Sequence, residues 1–181
     1  MTRTVNRCTI FVTVGTTLFE ALIAAATTEE ALNWMASHGY TRVIIQYGKG
    51  APPVLPEKHK LPDTLHVESY AFKSSLAPDM EQADLILSHA GAGTVTEALR
   101  LGKRMVVVIN TILMHNHQTE LANAMGSRKH LFVVQEPGQL ANMETWNAFQ
   151  EFVPVPNPAG DEYHFPRLLD SFMGIQDSKE S

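Results

Sequence analysis

Six short runs of β-branched and aliphatic residues alternate with stretches of helical periodicity along this chain, and that alternation admits few folds. The runs fall at 8–14, 41–47, 65–70, 85–87, 105–109 and 131–134. Several are apolar at consecutive positions (CTIFVTV, MVVVI), so both faces of those strands need cover, as in a parallel sheet held between two helix layers. Between them the spacing predicts helices over 19–37, 74–83, 91–101, 116–125 and 140–152, with Gly39, Gly102 and Gly126 as stops. Residues 48–62 hold Pro52, Pro53, Pro56 and Pro62, which bars them from a central strand. The expected fold is α/β, a Rossmann-like open parallel sheet with helices on both faces. Such sheets bind ligands beyond the carboxyl ends of their strands.

Composition narrows the class. At 181 residues the chain is the size of one domain, and 44% hydrophobic with 18% charged residues is a globular balance. Fourteen Lys+Arg against nineteen Asp+Glu give a net charge of −5, without the basic stripe of a nucleic-acid binder. Cys8 is the one cysteine, so no internal disulfide forms and a reducing compartment is expected. Residues 1–7 carry two arginines and then run straight into a strand, too short a segment for a signal peptide or a membrane span. A cytoplasmic protein is expected, organised as an α/β domain over 1–153 and a Pro- and Gly-containing tail over 154–181.

Two loops carry the chemistry. Ser88-His89-Ala90-Gly91-Ala92-Gly93-Thr94 follows the fourth strand and opens a helix. Small residues let the backbone approach a ligand, and a helix start offers N–H groups with partial positive charge, which suits a phosphate or diphosphate. A dinucleotide fingerprint fails here, since Thr96 stands where the third glycine belongs and Asn110 where the acidic residue belongs. A P-loop fails as well, because Gly102-Lys103 is followed by Arg104. Thr94 to Glu97 has the spacing of a capping box. Glu97 is therefore either a helix cap or an acceptor for a ribose diol, and spacing alone leaves both open.

The second loop, 110–118 (NTILMHNHQ), precedes another helix with Asn116 as its cap. His115 and His117 are two apart, do not share a helix face, and have no Cys or paired carboxylate beside them, so no metal site is expected. Gln118 and Glu120 lie in the first turn, where uncharged polar groups suit sugar hydroxyls.

These blocks, SHAGAGTVTEAL over 88–99, Gly102-Lys103, Val106 to Val108 and NHQTELA over 116–122, resemble family 28 glycosyltransferases, as does FVTVGTTLF over 11–19. The resemblance covers roughly the first 135 residues, a single-domain length. It implies the donor-binding lobe, equivalent to the C-terminal lobe of a two-lobe (GT-B type) enzyme, with UDP-GlcNAc as donor. It implies that Gly91, Ala92, Gly93 and Thr94 face the diphosphate and that Glu97 takes the ribose hydroxyls. Gln118 then contacts GlcNAc, Asn116 and His117 shape that pocket, and Gly15, Thr16 and Thr17 face the cleft. The implied activity is transfer of the second GlcNAc onto GlcNAc-diphospho-dolichol in N-glycan precursor synthesis.

One lobe cannot enclose a sugar in transit, so water exclusion and acceptor binding require a second wall. The family supplies one as a membrane-anchored second subunit that holds the lipid-linked acceptor, which places this chain on the cytosolic face of the endoplasmic reticulum. The apolar cluster Phe165, Leu168, Leu169, Phe172 and Met173 is either a docking helix for that subunit or a helix folded back on the sheet. An inverting transfer without metal or cofactor is expected, since no Asp-x-Asp pair occurs in the chain. His89 is the titratable candidate for general base in the glycine-rich loop, with a base from the partner as the alternative. Other readings are a subunit of a split bacterial-type exopolysaccharide transferase and a non-catalytic nucleotide-sugar-binding module.

Overall fold

A computed structural model describes residues 8–110 and 116–156, the first three of the latter segment as backbone only. The side chains of Asn116, His117 and Gln118, the pair His115–His117 and the apolar cluster of the tail therefore lie outside the described residues. Six strands form one sheet: β1 (Cys8–Thr13), β2 (Tyr40–Gln46), β3 (His66–Tyr70), β4 (Leu85–His89), β5 (Arg104–Val108) and β6 (Phe132–Val134). Their order is β3-β2-β1-β4-β5-β6, and every neighbouring pair is parallel. This is the doubly wound order, with its reversal between β1 and β4.

Alternate residues of each strand feed two cores. Ile10, Val12, Val43, Ile45, Leu85 and Val106 pack on one face under α1 (Glu20–Ala26), α2 (Glu29–Ser37) and α6 (Met143–Glu151). Trp34 of α2 stacks on Trp146 of α6 with ring centroids 4.6 Å apart, an arrangement favoured beyond simple burial. Phe11, Ile44, Ile86 and Val107 pack on the other face under α3 (Ala77–Gln82), α4 (Ala92–Arg100) and α5 (Asn116–Ser127). Burying each such aliphatic side chain contributes roughly 1.5–3 kcal/mol before chain entropy is set against it.

Local chemistry shifts three expected boundaries. The stretch expected as one helix over 19–37 is two, because Thr27 turns its hydroxyl onto the Ile23 carbonyl at 2.8 Å while Thr28 caps α2 by accepting Ala31 N–H at 3.2 Å. The stretch 140–152 divides at Asn142, which caps α6 through Glu144 N–H at 2.8 Å, and a 3₁₀ turn over Pro137–Ala141 precedes it. Gly126 lies inside α5 rather than ending it. There a Cβ would stand 2.5 Å from Val133 Cγ2, so close packing onto β6 explains the glycine.

The chain leaves β1 toward α1 on one face and β4 toward α4 on the other. The turns after these adjacent strands part at the carboxyl edge of the sheet and open a crevice between them.

Candidate functional site

The α4 side of this crevice is built by a strand that stays buried to its end. Ser88, His89 and Ala90 are all shielded from solvent, and Gly91 then takes the extended conformation (φ −73, ψ 122) that starts α4. No side chain caps the helix. Its first amide bonded to a backbone carbonyl is that of Val95, which donates to Gly91 at 3.0 Å. The amides of Ala92, Gly93 and Thr94 precede it, at the positions where a helix leaves N–H groups for a ligand. Gly93 is exposed, and a Cβ there would meet nothing within 4 Å.

The capping-box reading of Thr94 and Glu97 is thereby corrected. The helix begins at Ala92, so Thr94 is its third residue and cannot cap it. Glu97 instead accepts from Arg100 one turn on, Nη2 at 2.7 Å and Nε at 3.2 Å. That hydrogen bond holds the Glu97 carboxyl below its ordinary value against a smaller opposing effect of burial. An ionised carboxylate with lone pairs to spare is a competent acceptor for a vicinal diol.

His89 occupies the floor between the two turns. It is 7% exposed, and burial lowers its pKa despite a hydrogen bond to the Thr13 backbone. A Cβ on Gly91 would lie 2.4 Å from its Nε2, and one on Gly15 3.3 Å from its Cε1. The imidazole thus separates the two glycine turns at contact distance. A neutral, covered ring in this place holds backbone in position; it does not face solvent as a proton acceptor in an open crevice would.

On the other side, Gly15 bends the chain out of β1 at φ +59, a region that favours glycine. Thr17 closes the turn, its N–H and hydroxyl donating to the Val14 carbonyl at 3.1 and 2.7 Å. Thr16 is left exposed at the tip. Gly15 and Gly91 therefore both stand against His89, at the ends of the two strands that the glycine-rich turns leave. The start of α5 at Asn116 follows β5, next to β4, along the same edge.

Sequence reasoning missed three features here. Thr13 and Gln46, at the tips of β1 and β2, form a buried polar pair beneath the Gly15 turn. Asp79, 3% exposed, anchors the loop after β3 by accepting from Lys73 Nζ (2.7 and 3.0 Å), from Gln82 Nε2 (3.1 Å) and from the Tyr70 hydroxyl. Leu18 and Phe72 project from loops on this edge, 46% and 54% exposed. The first signal was legible, a glutamine ending an otherwise apolar VIIQ strand. The other two depend on loop conformation.

Among the described residues no three His, Cys, Asp or Glu side chains cluster as a metal site would require, and no helix is long and apolar enough to cross a membrane.

The model of the glycosyltransferase family 28 C-terminal domain matches residues 9–145. The UDP-N-acetylglucosamine transferase subunit ALG13 of Homo sapiens is 45% identical over 135 residues, 72% of this chain and 12% of the human protein. Its namesake in Yarrowia lipolytica is 32% identical over 164 residues, covering 89% of this chain and 83% of that one. The chain thus spans about an eighth of the human relative and most of the yeast one. An NMR solution structure of ALG13 superposes with a TM-score of 0.66 at 22% identity, over 90% of this chain and 95% of that one, which establishes the shared fold. With its open parallel sheet, doubly wound strand order and matched segment, the chain belongs to the glycosyltransferase family 28 C-terminal domain family and has the fold of the C-terminal lobe of GT-B glycosyltransferases.

Proposed function

We propose that this chain is the donor-binding subunit of a split, inverting UDP-GlcNAc transferase that adds the second N-acetylglucosamine to GlcNAc-diphospho-dolichol. The observation that carries this is the side-chain-free start of α4 at the reversal point of the sheet, in a member of this family whose relatives are named UDP-N-acetylglucosamine transferase subunits. The amides of Ala92, Gly93 and Thr94 receive the diphosphate and stabilise the negative charge that grows on UDP as it leaves. Glu97 accepts the ribose hydroxyls. By the family resemblance, Gln118 is assigned the GlcNAc hydroxyls, with Asn116 and His117 shaping that pocket. The Gly15–Thr17 turn closes the crevice from the opposite side.

With helix-start amides meeting the leaving charge, no metal or cofactor is assigned a step. His89 is a positioning residue in this scheme, and the base that deprotonates the acceptor hydroxyl comes from a second, membrane-anchored subunit. That subunit also supplies the lipid-binding wall and holds this chain at the cytosolic face of the endoplasmic reticulum.

The test is transfer from UDP-GlcNAc to a GlcNAc-diphosphate lipid by this chain alone, by the membrane subunit alone and by both. Activity is expected for the pair only, and Gln118→Ala is expected to reduce it while the pair still co-purifies. Full transfer by the isolated chain, or none by an intact pair, refutes the proposal.

A further inference from the structure

Thr13 and Gln46 are register partners at the tips of β1 and β2, both essentially solvent-free. The Thr13 hydroxyl donates to Gln46 Oε1 at 2.6 Å and accepts Gly15 N–H at 3.1 Å. Gln46 Nε2 donates twice, to the carbonyls of Gly15 and Ala71, each at 2.8 Å. A buried amide is costly unless bonded, and here both donors and the acceptor are in use. The two carbonyls belong to the loops after β1 and β3, strands that flank β2 and do not touch each other. One side chain on β2 therefore fixes both loops.

The peptide plane makes this matter for the site. In a trans peptide the C=O and the following N–H point in opposite directions. Turning the Gly15 carbonyl down onto buried Gln46 turns the Thr16 N–H away from that buried side chain. Two further contacts hold that orientation. Gly48 (φ +64) backs the turn so closely that a Cβ would stand 2.7 Å from the Thr17 carbonyl oxygen, and His89 meets Gly15 from the β4 side.

We infer that Thr13 and Gln46 form a positioning unit for sugar transfer: they hold the Gly15–Thr16 peptide so that its N–H faces the donor. This rests on the donor-binding reading above and extends it to two residues that touch no substrate. The unit works through hydrogen bonds, so isosteric changes that delete them separate it from packing. Thr13→Val keeps the shape and loses the hydroxyl. Gln46→Glu keeps the shape and replaces two donors with a carboxylate facing two carbonyls. Thr13→Ser restores the hydroxyl without the methyl.

The experiment measures kcat and KM for UDP-GlcNAc in the full chain paired with its membrane subunit, on a GlcNAc-diphosphate lipid, below the melting temperature of every variant. Thr13→Val and Gln46→Glu are expected to lose roughly tenfold to a hundredfold in activity, mostly in kcat, as a misplaced group costs. Thr13→Ser is expected within about twofold of wild type, because its donor and acceptor are intact. If Gln46→Glu does not fold, the Val and Ser variants of Thr13 decide the question between them. An active wild-type pair with unchanged kcat in Thr13→Val, or with Ser as impaired as Val, overturns this inference alone. A wild-type pair that transfers no sugar overturns the donor-binding reading, and this inference with it.

Discussion

Gly91 and Gly93 sit two residues apart in the same turn and make opposite demands on a methyl group. Gly91 has φ −73 and ψ 122, open to any residue, so only space requires glycine there. A Cβ at Gly91 would stand 2.4 Å from His89 Nε2 and 2.7 Å from Cε1, where ordinary contact begins near ~3.5 Å. The ring would have to move by about 1 Å within a close-packed site. Such overpacking costs about 1–3 kcal/mol, or roughly 2–4 °C of melting temperature per kcal/mol for a chain of this size. Gly93→Ala meets nothing within 4 Å and replaces a flexible helical residue, so the free protein gains about 0.5 kcal/mol. On the proposed assignment the same methyl lies where the diphosphate approaches, so the assembled enzyme is expected to lose donor affinity as its subunit becomes more stable. Thermal unfolding of the isolated chain and KM for UDP-GlcNAc in the pair measure the two effects separately. An unchanged melting temperature in Gly91→Ala refutes the steric argument, and an unchanged KM in Gly93→Ala refutes the diphosphate site.

Gly126→Ala improves helix propensity by about 0.8–1 kcal/mol yet drives a Cβ to 2.5 Å from Val133 Cγ2, and packing is expected to win. Denaturant unfolding then gives a less stable variant, and a more stable one refutes the ranking of the two effects. His89 supplies a pH dependence. Burial holds its folded pKa below 6.5, so between that folded value and 6.5 the unfolded chain binds a proton that the folded chain refuses. Its contribution is complete above about pH 6.5 and is lost progressively as pH falls through this window. The melting temperature of wild type is therefore expected to fall more steeply than that of His89→Gln between about pH 7.5 and about pH 5. Parallel curves would contradict the burial argument.

The strands were legible because β-branched runs such as VIIQ and MVVVI need cover on both faces, which fixes a parallel sheet before any contact is known. The crevice was legible for a related reason, since doubly wound sheets place ligands at the carboxyl edge and small residues mark where backbone approaches them. Helix starts were harder to read. Thr94 fits a cap by spacing, yet the extended Gly91 lets α4 begin three residues earlier, and sequence spacing carries no information about ψ. The break at Thr27-Thr28 was visible as two hydroxyl residues before two glutamates, but the alanine-rich periodicity on either side masks it. Gln46 could be seen as a polar strand end; that it reaches Ala71, just beyond the end of neighbouring β3, depends on strand order, which no local pattern encodes.

The proposed division of labour between two polypeptides follows from what this edge of the sheet leaves uncovered. The groups assigned to the diphosphate are backbone amides carrying only partial charge, and their effect on the leaving group depends on how little water competes for it. In bulk water, two unit charges 4 Å apart attract by only about 1 kcal/mol, and by about 4 kcal/mol at the effective dielectric of a partly covered protein surface. Each further exclusion of solvent thus strengthens every interaction in the crevice together, without a new residue being added. Leu18 and Phe72 project from this same edge, 46% and 54% exposed, as apolar surface whose burial is favourable. The second lobe of the proposed pair, were it to close over them, would gain area there and lower the dielectric around the α4 helix start in the same movement. On the proposed reading, this placement of apolar residues beside the amides is what would confine catalysis to the assembled state.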